Sequence, residues 1–282
     1  MIVFPNCKIN LGLNIINKRN DGFHNLETVF LPINLKDALE IVRKDNLDKE
    51  QSHNSSIEFS SSGILITSNA TDNICVKAYE LLKKDYPEHI HAVKVHLHKT
   101  IPAGAGLGGG SADGAFMLQL LNTKFNLGLS DEQLLAYALQ LGSDCPFFIT
   151  NKPCFASGRG EILEPISLDL SGYKILLVNP GIHISTGAAF SQLTPSIPKV
   201  SIREIIKKPV DKWKDELTND FEEPVFRQHP EIKEIKQSLY DAGAIYSSMS
   251  GSGSTVYGIF ENKQNINFQF PKHYFTKEIS PL

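Results

Sequence analysis

A chain of mixed strands and helices divided between two domains is the fold class this sequence predicts. Its 282 residues are enough for a large core and a cleft between lobes. Segments of alternating polarity are interleaved with segments of helical periodicity, and a glycine-rich loop stands between one of each. No internal repeat of fixed period runs through the chain.

The elements follow in order. From Cys7 to Gly12 the residues alternate, with Cys7, Ile9 and Leu11 on one face of a strand and Lys8, Asn10 and Gly12 on the other. The polar, Ser/Asn-rich stretch from Arg43 to Ser62 reads as loops around one short strand at Ile57 and Phe59. Asp72 precedes a helical pattern, Ile74, Ala78, Leu81 and Leu82. Val93, Val95 and Leu97 alternate with Lys94, His96 and His98 in a half-buried strand.

Immediately beyond lies the run Pro102-Ala103-Gly104-Ala105-Gly106-Leu107-Gly108-Gly109-Gly110-Ser111-Ala112, followed by a mostly buried helix through Ala115, Met117, Leu118, Leu120 and Leu121. Ser130 with Gln133 makes a capping-box signature for the next helix, and Gly142 supplies its stop. Tyr173 to Val178 reads as a strand ending at Asn179-Pro180-Gly181, and the Pro-punctuated stretch from Thr194 to Pro209 as a linker or helix lead-in. Ile232, Ile235, Leu239 and Ala242 mark an amphipathic helix closed by Gly243. Two strands, Ala244 to Ser248 and Thr255 to Phe260, then flank the loop from Ser250 to Ser254.

Composition limits what the chain does. Lys and Arg total 28 against 31 Asp and Glu, a net charge of −3, and no basic block is present, which argues against a nucleic-acid partner. Cys7, Cys75, Cys145 and Cys154 are widely spaced, so neither a disulfide framework nor a zinc knuckle is indicated. The N-terminus lacks the charged leader and long apolar core of a signal peptide. No run approaches the ~20 apolar residues that span a bilayer. A soluble, cytoplasmic protein without a membrane partner is expected.

Between Gly104 and Ser111 there are five glycines and one serine among eight residues. Glycines there let successive backbone N–H groups turn toward one point, and the helix that follows adds its positive N-terminal end, so the segment suits phosphate. A merely flexible loop is the alternative, but such loops rarely feed straight into an apolar helix. A Walker A loop would end in Gly-Lys-Ser/Thr, whereas this one ends in Gly109-Gly110-Ser111. Gly104, Gly106 and Gly109 satisfy the dinucleotide spacing Gly-x-Gly-x-x-Gly, which keeps a dehydrogenase as the second reading. The acidic residue that fingerprint requires is represented only by Asp131, at the start of a helix.

The run from Pro102 to Ala112 resembles the second motif of the GHMP kinases. Cys7-Lys8-Ile9-Asn10-Leu11 resembles their first motif, and the segment from Met249 to Thr255 their third, in the same order and over nearly the whole length. Arg19 to Thr28, Gly142 to Phe148 and Asn179-Pro180-Gly181 are similar to the branch that phosphorylates the methylerythritol unit of a cytidine-diphosphate substrate on the non-mevalonate route to isoprenoids. The resemblance implies an α+β fold: an N-terminal domain like domain 2 of ribosomal protein S5 over residues 1–155, a ferredoxin-like α+β domain over 156–282, and an active site in the cleft between them. It also implies ATP with magnesium, a monomer or weak homodimer, and, as alternatives, a mevalonate- or homoserine-type kinase. A nucleotide-binding regulator would lack Lys8 or Asp144, and both are present.

The same resemblance assigns roles. On the residues alone Asp144, after Gly142 and before Pro146, reads as a helix cap; the resemblance makes it the group that accepts the proton of the attacking hydroxyl. Lys8 reads as a strand lysine, and the resemblance pairs it with the aspartate. Ser111 reads as the cap of the helix after the loop, and the resemblance adds contact with phosphate or magnesium. Phe23 and Phe190 read as core aromatics and His24 as a surface histidine; the resemblance places them around a cytosine ring, with Asn10 and Thr186 in the substrate set. No residue matches the family's metal-binding glutamate, so no metal ligand is assigned.

Overall fold

The computed structural model describes residues 1–44, 56–65 and 72–282. The middle of the Arg43 to Ser62 loop reading, residues 45–55, lies outside them. The chain forms two compact units. One comprises Met1–Cys7, Leu35–Ala103 and Gly109–Asn151, the other Lys8–Asn34, Gly104–Gly108 and Lys152–Leu282.

The first unit is a four-stranded mixed sheet covered by helices. Its strands are β1 (Ile2–Val3), β4 (Ala38–Arg43), β6 (Val93–Lys99) and β5 (Ile57–Gly63), in that spatial order. Only β5 and β6 run parallel, so the chain must cross over between them, and helix α1 (Ile74–Asp85) supplies the crossover. As the alternation predicts, Val93, Val95 and Leu97 are buried while Lys94 and His98 face solvent. Helices α2 (Gly109–Lys124), α3 (Asp131–Leu141) and α4 (Cys145–Thr150) follow, and α2 packs against α1, α3 and α4.

Local signals explain where these helices begin. Asn73, rather than the neighbouring Asp72, caps α1 by accepting from the Cys75 N–H. Ser130 and Gln133 form the expected capping box, with bonds of 3.3 and 2.9 Å, and α3 stops at Gly142. α2 behaves differently. It starts at Gly109, inside the glycine run, so Ser111 is its third residue and not its cap. Its glycine start is tolerated because the rest of the helix is apolar and buried through Met117, Leu118, Leu120 and Leu121.

One buried polar cluster in this unit was invisible to pattern reading. Lys99 at the end of β6 pairs with Asp37 and, at 2.7 Å, with Asp113 of α2. Burial pushes the Asp113 carboxyl up, to about 7, against the pull of Lys99.

The second unit holds two sheets. In one, β2 (Asn6–Lys18), β3 (His24–Lys36), β7 (Cys154–Ser157) and β8 (Ile162–Pro165) lie in that order. In the other the order is β10 (Tyr246–Met249), β11 (Val256–Glu261), β9 (Tyr173–Asn179) and β12 (Phe275–Ile279), all antiparallel. Short helices α5 (Thr186–Ser191), α6 (Ile202–Ile205), α7 (Trp213–Glu216) and α8 (Glu222–Gln228) precede the amphipathic α9 (Pro230–Asp241). α9 buries Ile232, Ile235 and Leu239 in one core with Val256 and Phe260 of β11, and Gly243 follows it at φ +93°. Among the described residues no helix is long and apolar enough to cross a membrane.

Two loops of this unit are tied together by Asn219. Its Nδ2 donates to the Met249 and Gly251 carbonyls at 2.7 and 2.9 Å, while its Oδ1 accepts from the Phe221 N–H. Asn219→Ala leaves two buried carbonyls short of a donor, a loss of about 1–3 kcal/mol. The urea midpoint of unfolding is expected to fall accordingly, and an unchanged midpoint removes Asn219 from the stabilising contacts.

Candidate active site

Strand β2 carries the first predicted group. Both faces of the strand are buried over Asn6–Ile15, so Lys8 and Asn10 sit inside the protein instead of on a solvated edge. The reason is local: the Lys8 ammonium lies 4.9 Å from the centre of the Phe30 ring and donates to Asn10 Oδ1 at 2.6 Å and to the Gly106 carbonyl at 3.5 Å. Asn10 in turn donates from Nδ2 to Thr28 Oγ1 at 3.0 Å, and Thr28 donates to the Gly12 carbonyl at 2.5 Å. Both ends of the Asn10 amide are therefore engaged, one of them in orienting Lys8. These oxygens and the aromatic face fix the direction of the ammonium against the glycine-rich loop.

The glycine-rich loop is anchored through its carbonyls. Leu107 O accepts from the Lys8 N–H at 2.9 Å, Gly106 O from Ser250 Oγ at 2.7 Å, and Ala105 O from the Thr255 N–H at 3.2 Å. Ala105 and Leu107 are buried, whereas Ala103, Gly104 and Gly110 are exposed. At Gly106 glycine is obligatory: φ is +76°, and a Cβ would stand 2.0 Å from the Ser250 carbonyl oxygen. Ser250 itself accepts from the Asn10 N–H at 3.2 Å, so the three motif segments of the second unit converge on one hydroxyl. Pro102 and Ala103, like Gly109 onward, belong to the first unit; Ala112 is buried within α2.

In the first unit Asp144 occupies the position before α4, with Pro146 in the first turn, yet its side chain makes no capping hydrogen bond. The capping role read from the residues is therefore not what occupies this carboxylate. Burial pushes the thiol of Cys145, next in sequence, up to about 12.

Among the described residues no group of three or more His, Cys, Asp or Glu could hold a metal ion. Magnesium at a phosphoryl-transfer site takes only one or two protein oxygens, the rest coming from phosphates and water. The Ser111 hydroxyl, in the first turn of α2, is a donor of the type that fits that demand.

The aromatic residues gather in the second unit. His24 stacks on Phe190, with ring centroids 4.8 Å apart and planes 16° apart. Phe221 meets the Phe190 ring edge-on at 4.9 Å. Burial, helped by the charge of Lys18, lowers the His24 pKa and favours a neutral imidazole with one donor and one acceptor. Phe23, expected in the core, is half exposed and carries the Arg159 guanidinium 4.6 Å from its ring centre. Thr186, the first residue of α5, hydrogen-bonds with Ser252 at 3.0 Å, tying that helix to the Ser250 to Ser254 loop. Asn219 went unnoticed in the sequence, and Thr28 and Ser250 were read only as parts of motif segments, because the bonds that place them span 16 to 240 residues.

A glycine-rich loop opening an apolar helix, a buried lysine against that loop and a carboxylate at a helix start define a small-molecule kinase. The description "GHMP kinases N terminal domain" matches residues 73–152, and "GHMP kinases C terminal" matches residues 201–270. The chain belongs to the GHMP kinases, which use ATP. It is 55% identical over 261 residues to the 4-diphosphocytidyl-2-C-methyl-D-erythritol kinase of Bacteroides thetaiotaomicron, covering 93% of this chain and 92% of that one. To the kinase of the same name from Bacteroides fragilis it is 54% identical over 267 residues, 94% of each. A crystal structure of 4-(cytidine 5'-diphospho)-2C-methyl-D-erythritol kinase superposes with a TM-score of 0.79 at 27% identity over 99% of both chains. The Methanococcus jannaschii mevalonate kinase, at 13% identity and a TM-score of 0.71 over 100% of this chain and 98% of that one, shares the fold. The dehydrogenase reading is thereby overturned: the Gly-x-Gly-x-x-Gly spacing belongs to a GHMP loop.

Gly106→Ala drives a methyl group into the Ser250 carbonyl and displaces the loop. A displacement of about 1 Å is enough to cost ~10²-fold in kcat/KM for ATP. Steady-state kinetics at varied ATP check this, and an unchanged constant in a folded variant moves the phosphate site elsewhere.

Proposed function

We infer that this protein transfers the γ-phosphoryl group of ATP to the 2-hydroxyl of 4-diphosphocytidyl-2-C-methyl-D-erythritol, giving the 2-phosphate and ADP, on the non-mevalonate route to isopentenyl diphosphate. The observation that carries the reading is the 55% identity over 93% of the chain to a kinase named for that substrate. Separation of the functional halves at 155/156, a cytoplasmic location, a monomeric or weakly dimeric state and the absence of nucleic-acid partners belong to the same reading.

In this reading the run from Pro102 to Ala112 cradles the ATP phosphates. Carbonyls of Ala105, Gly106 and Leu107 are already spent on the protein, which leaves the backbone N–H groups of the loop and of the α2 start for anionic oxygen. The acceptor hydroxyl oxygen bonds to the γ-phosphorus as the bridging P–O bond to ADP breaks. Its proton passes to Asp144, and the Lys8 ammonium stabilises the charge of the transferring group. Ser111 would hold magnesium together with the phosphates, and the ion would supply charge neutralisation there.

The acceptor is read by its base. Phe23 and Phe190 offer aromatic faces, and the neutral imidazole of His24 supplies polar contacts to the cytosine edge. Asn10 and Thr186 complete the substrate set, Asn10 by orienting Lys8 and Thr186 from the loop-facing start of α5.

ADP release measured with and without the cytidine substrate is the direct test. Release that ignores the cytidine compound, or efficient use of mevalonate or homoserine in its place, overturns the assignment. Asp144→Asn is expected to lower kcat by at least ~10²-fold with little change in ATP affinity, and Lys8→Ala to act in the same direction. Turnover near that of the parent removes the altered residue from the mechanism. Stacking tolerates any base, so discrimination rests on the polar edge, where an unmatched buried group costs about 1–3 kcal/mol. The cytidine substrate is therefore expected to exceed its uridine analogue roughly tenfold to a hundredfold in kcat/KM. His24→Ala narrows that gap, whereas Phe190→Ala weakens both compounds alike.

A further inference from the structure

Beneath the first turn of α2 lies a buried charge cluster that no step of the proposed chemistry uses. Lys99, the last residue of β6, donates from its ammonium to Asp37 Oδ2 and, at 2.7 Å, to Asp113 Oδ2. All three side chains are at least 95% buried. Asp37 Oδ1 also accepts the backbone N–H groups of Thr100 at 2.6 Å and Ile101 at 2.9 Å, the two residues that lead into Pro102. The cluster therefore grips the chain on both sides of the glycine-rich loop: Asp37 holds its entry, and Asp113 belongs to the helix at its exit.

The grip is close as well as polar. A Cβ on Gly109, the first residue of α2, would stand 2.7 Å from Ile101 Cγ2 and 3.5 Å from the Lys99 ammonium. The helix start is thus seated directly on the residues that Asp37 holds. Asp113 Oδ1 has no hydrogen-bond partner, although it is fully buried. A buried carboxylate that is only half satisfied is unfavourable for stability. Retention of such a group fits a task other than stabilising the core.

We propose that Lys99, clamped between Asp37 and Asp113, is a positioning residue that holds the first turn of α2 against the Thr100–Ile101 segment, so that the N–H groups of Gly109, Gly110 and Ser111 form a preset seat for phosphate. The inference rests on the reading of this loop as the ATP phosphate site. Preorganised donors stabilise developing charge because they need not be reoriented as it forms. Lys99 touches neither nucleotide nor acceptor in this account. Its effect is exerted wholly through the placement of α2.

Asp113→Ala tests it with the Lys99–Asp37 pair left whole, cutting only the tie to α2. The expected result is a fall of ~10²-fold in kcat/KM for ATP, the scale of an ångström-sized misplacement, with KM for the acceptor unchanged. A packing role alone would lower the melting temperature and leave that split between the two substrates absent. Should the single variant fail to fold, the charge-neutral Asp37→Asn/Lys99→Met/Asp113→Asn chain supplies the same measurement. A folded variant whose kcat/KM for ATP lies within about twofold of the parent, or one in which both substrates suffer equally, overturns the proposal. A parent protein that releases no ADP from ATP and the cytidine acceptor instead removes the functional reading itself, so the two failures are told apart.

Discussion

The hydroxyl of Ser250 is the smallest group on which the second unit depends. It accepts the Asn10 N–H from β2 and donates to the Gly106 carbonyl, and Tyr257 reinforces the same strand by donating to the Asn10 carbonyl at 2.8 Å. A single buried oxygen thus joins the strand that carries Lys8, the glycine loop and the hairpin between β10 and β11. Such a group is satisfied only while all three segments are in place, and a buried hydroxyl with an unmet partner is unfavourable. The geometry of any one segment consequently constrains the other two, and the 2.0 Å approach at Gly106 shows how little slack remains.

Charge is handled differently in the two units. Lys8 donates to the Asn10 and Gly106 oxygens beside the Phe30 face, against the glycine-rich loop. Lys99 lies between the carboxyl groups of Asp37 and Asp113, which compensate its charge and fix it in place. Buried lysines are uncommon and need such compensation.

Much of the architecture was legible locally. The alternation in Val93–Lys99, the capping box at Ser130 and Gln133, the stop at Gly142 and the apolar stripe of α9 each depend on neighbours within a turn or a strand. β3 went unread although it is 13 residues long, because His24–Lys36 is buried on both faces over much of its length and shows no clean alternation. Ser111 was misread as a cap because nothing in a run of glycines marks where helical geometry begins; the helix starts earlier, at Gly109.

The sequence by itself determined that glycine, lysine and aspartate motifs of a GHMP kinase are present in order, since motif identity is a property of residue type and spacing. Only the tertiary structure decided which oxygen each of those groups bonds to. It turned Asn10 toward Lys8, set His24 flat against Phe190, left Asp144 at a helix start without a capping bond, and buried Lys99 between Asp37 and Asp113. These contacts join residues as far apart in the chain as His24 and Phe190, and their strength depends on burial and on angles that no local pattern encodes.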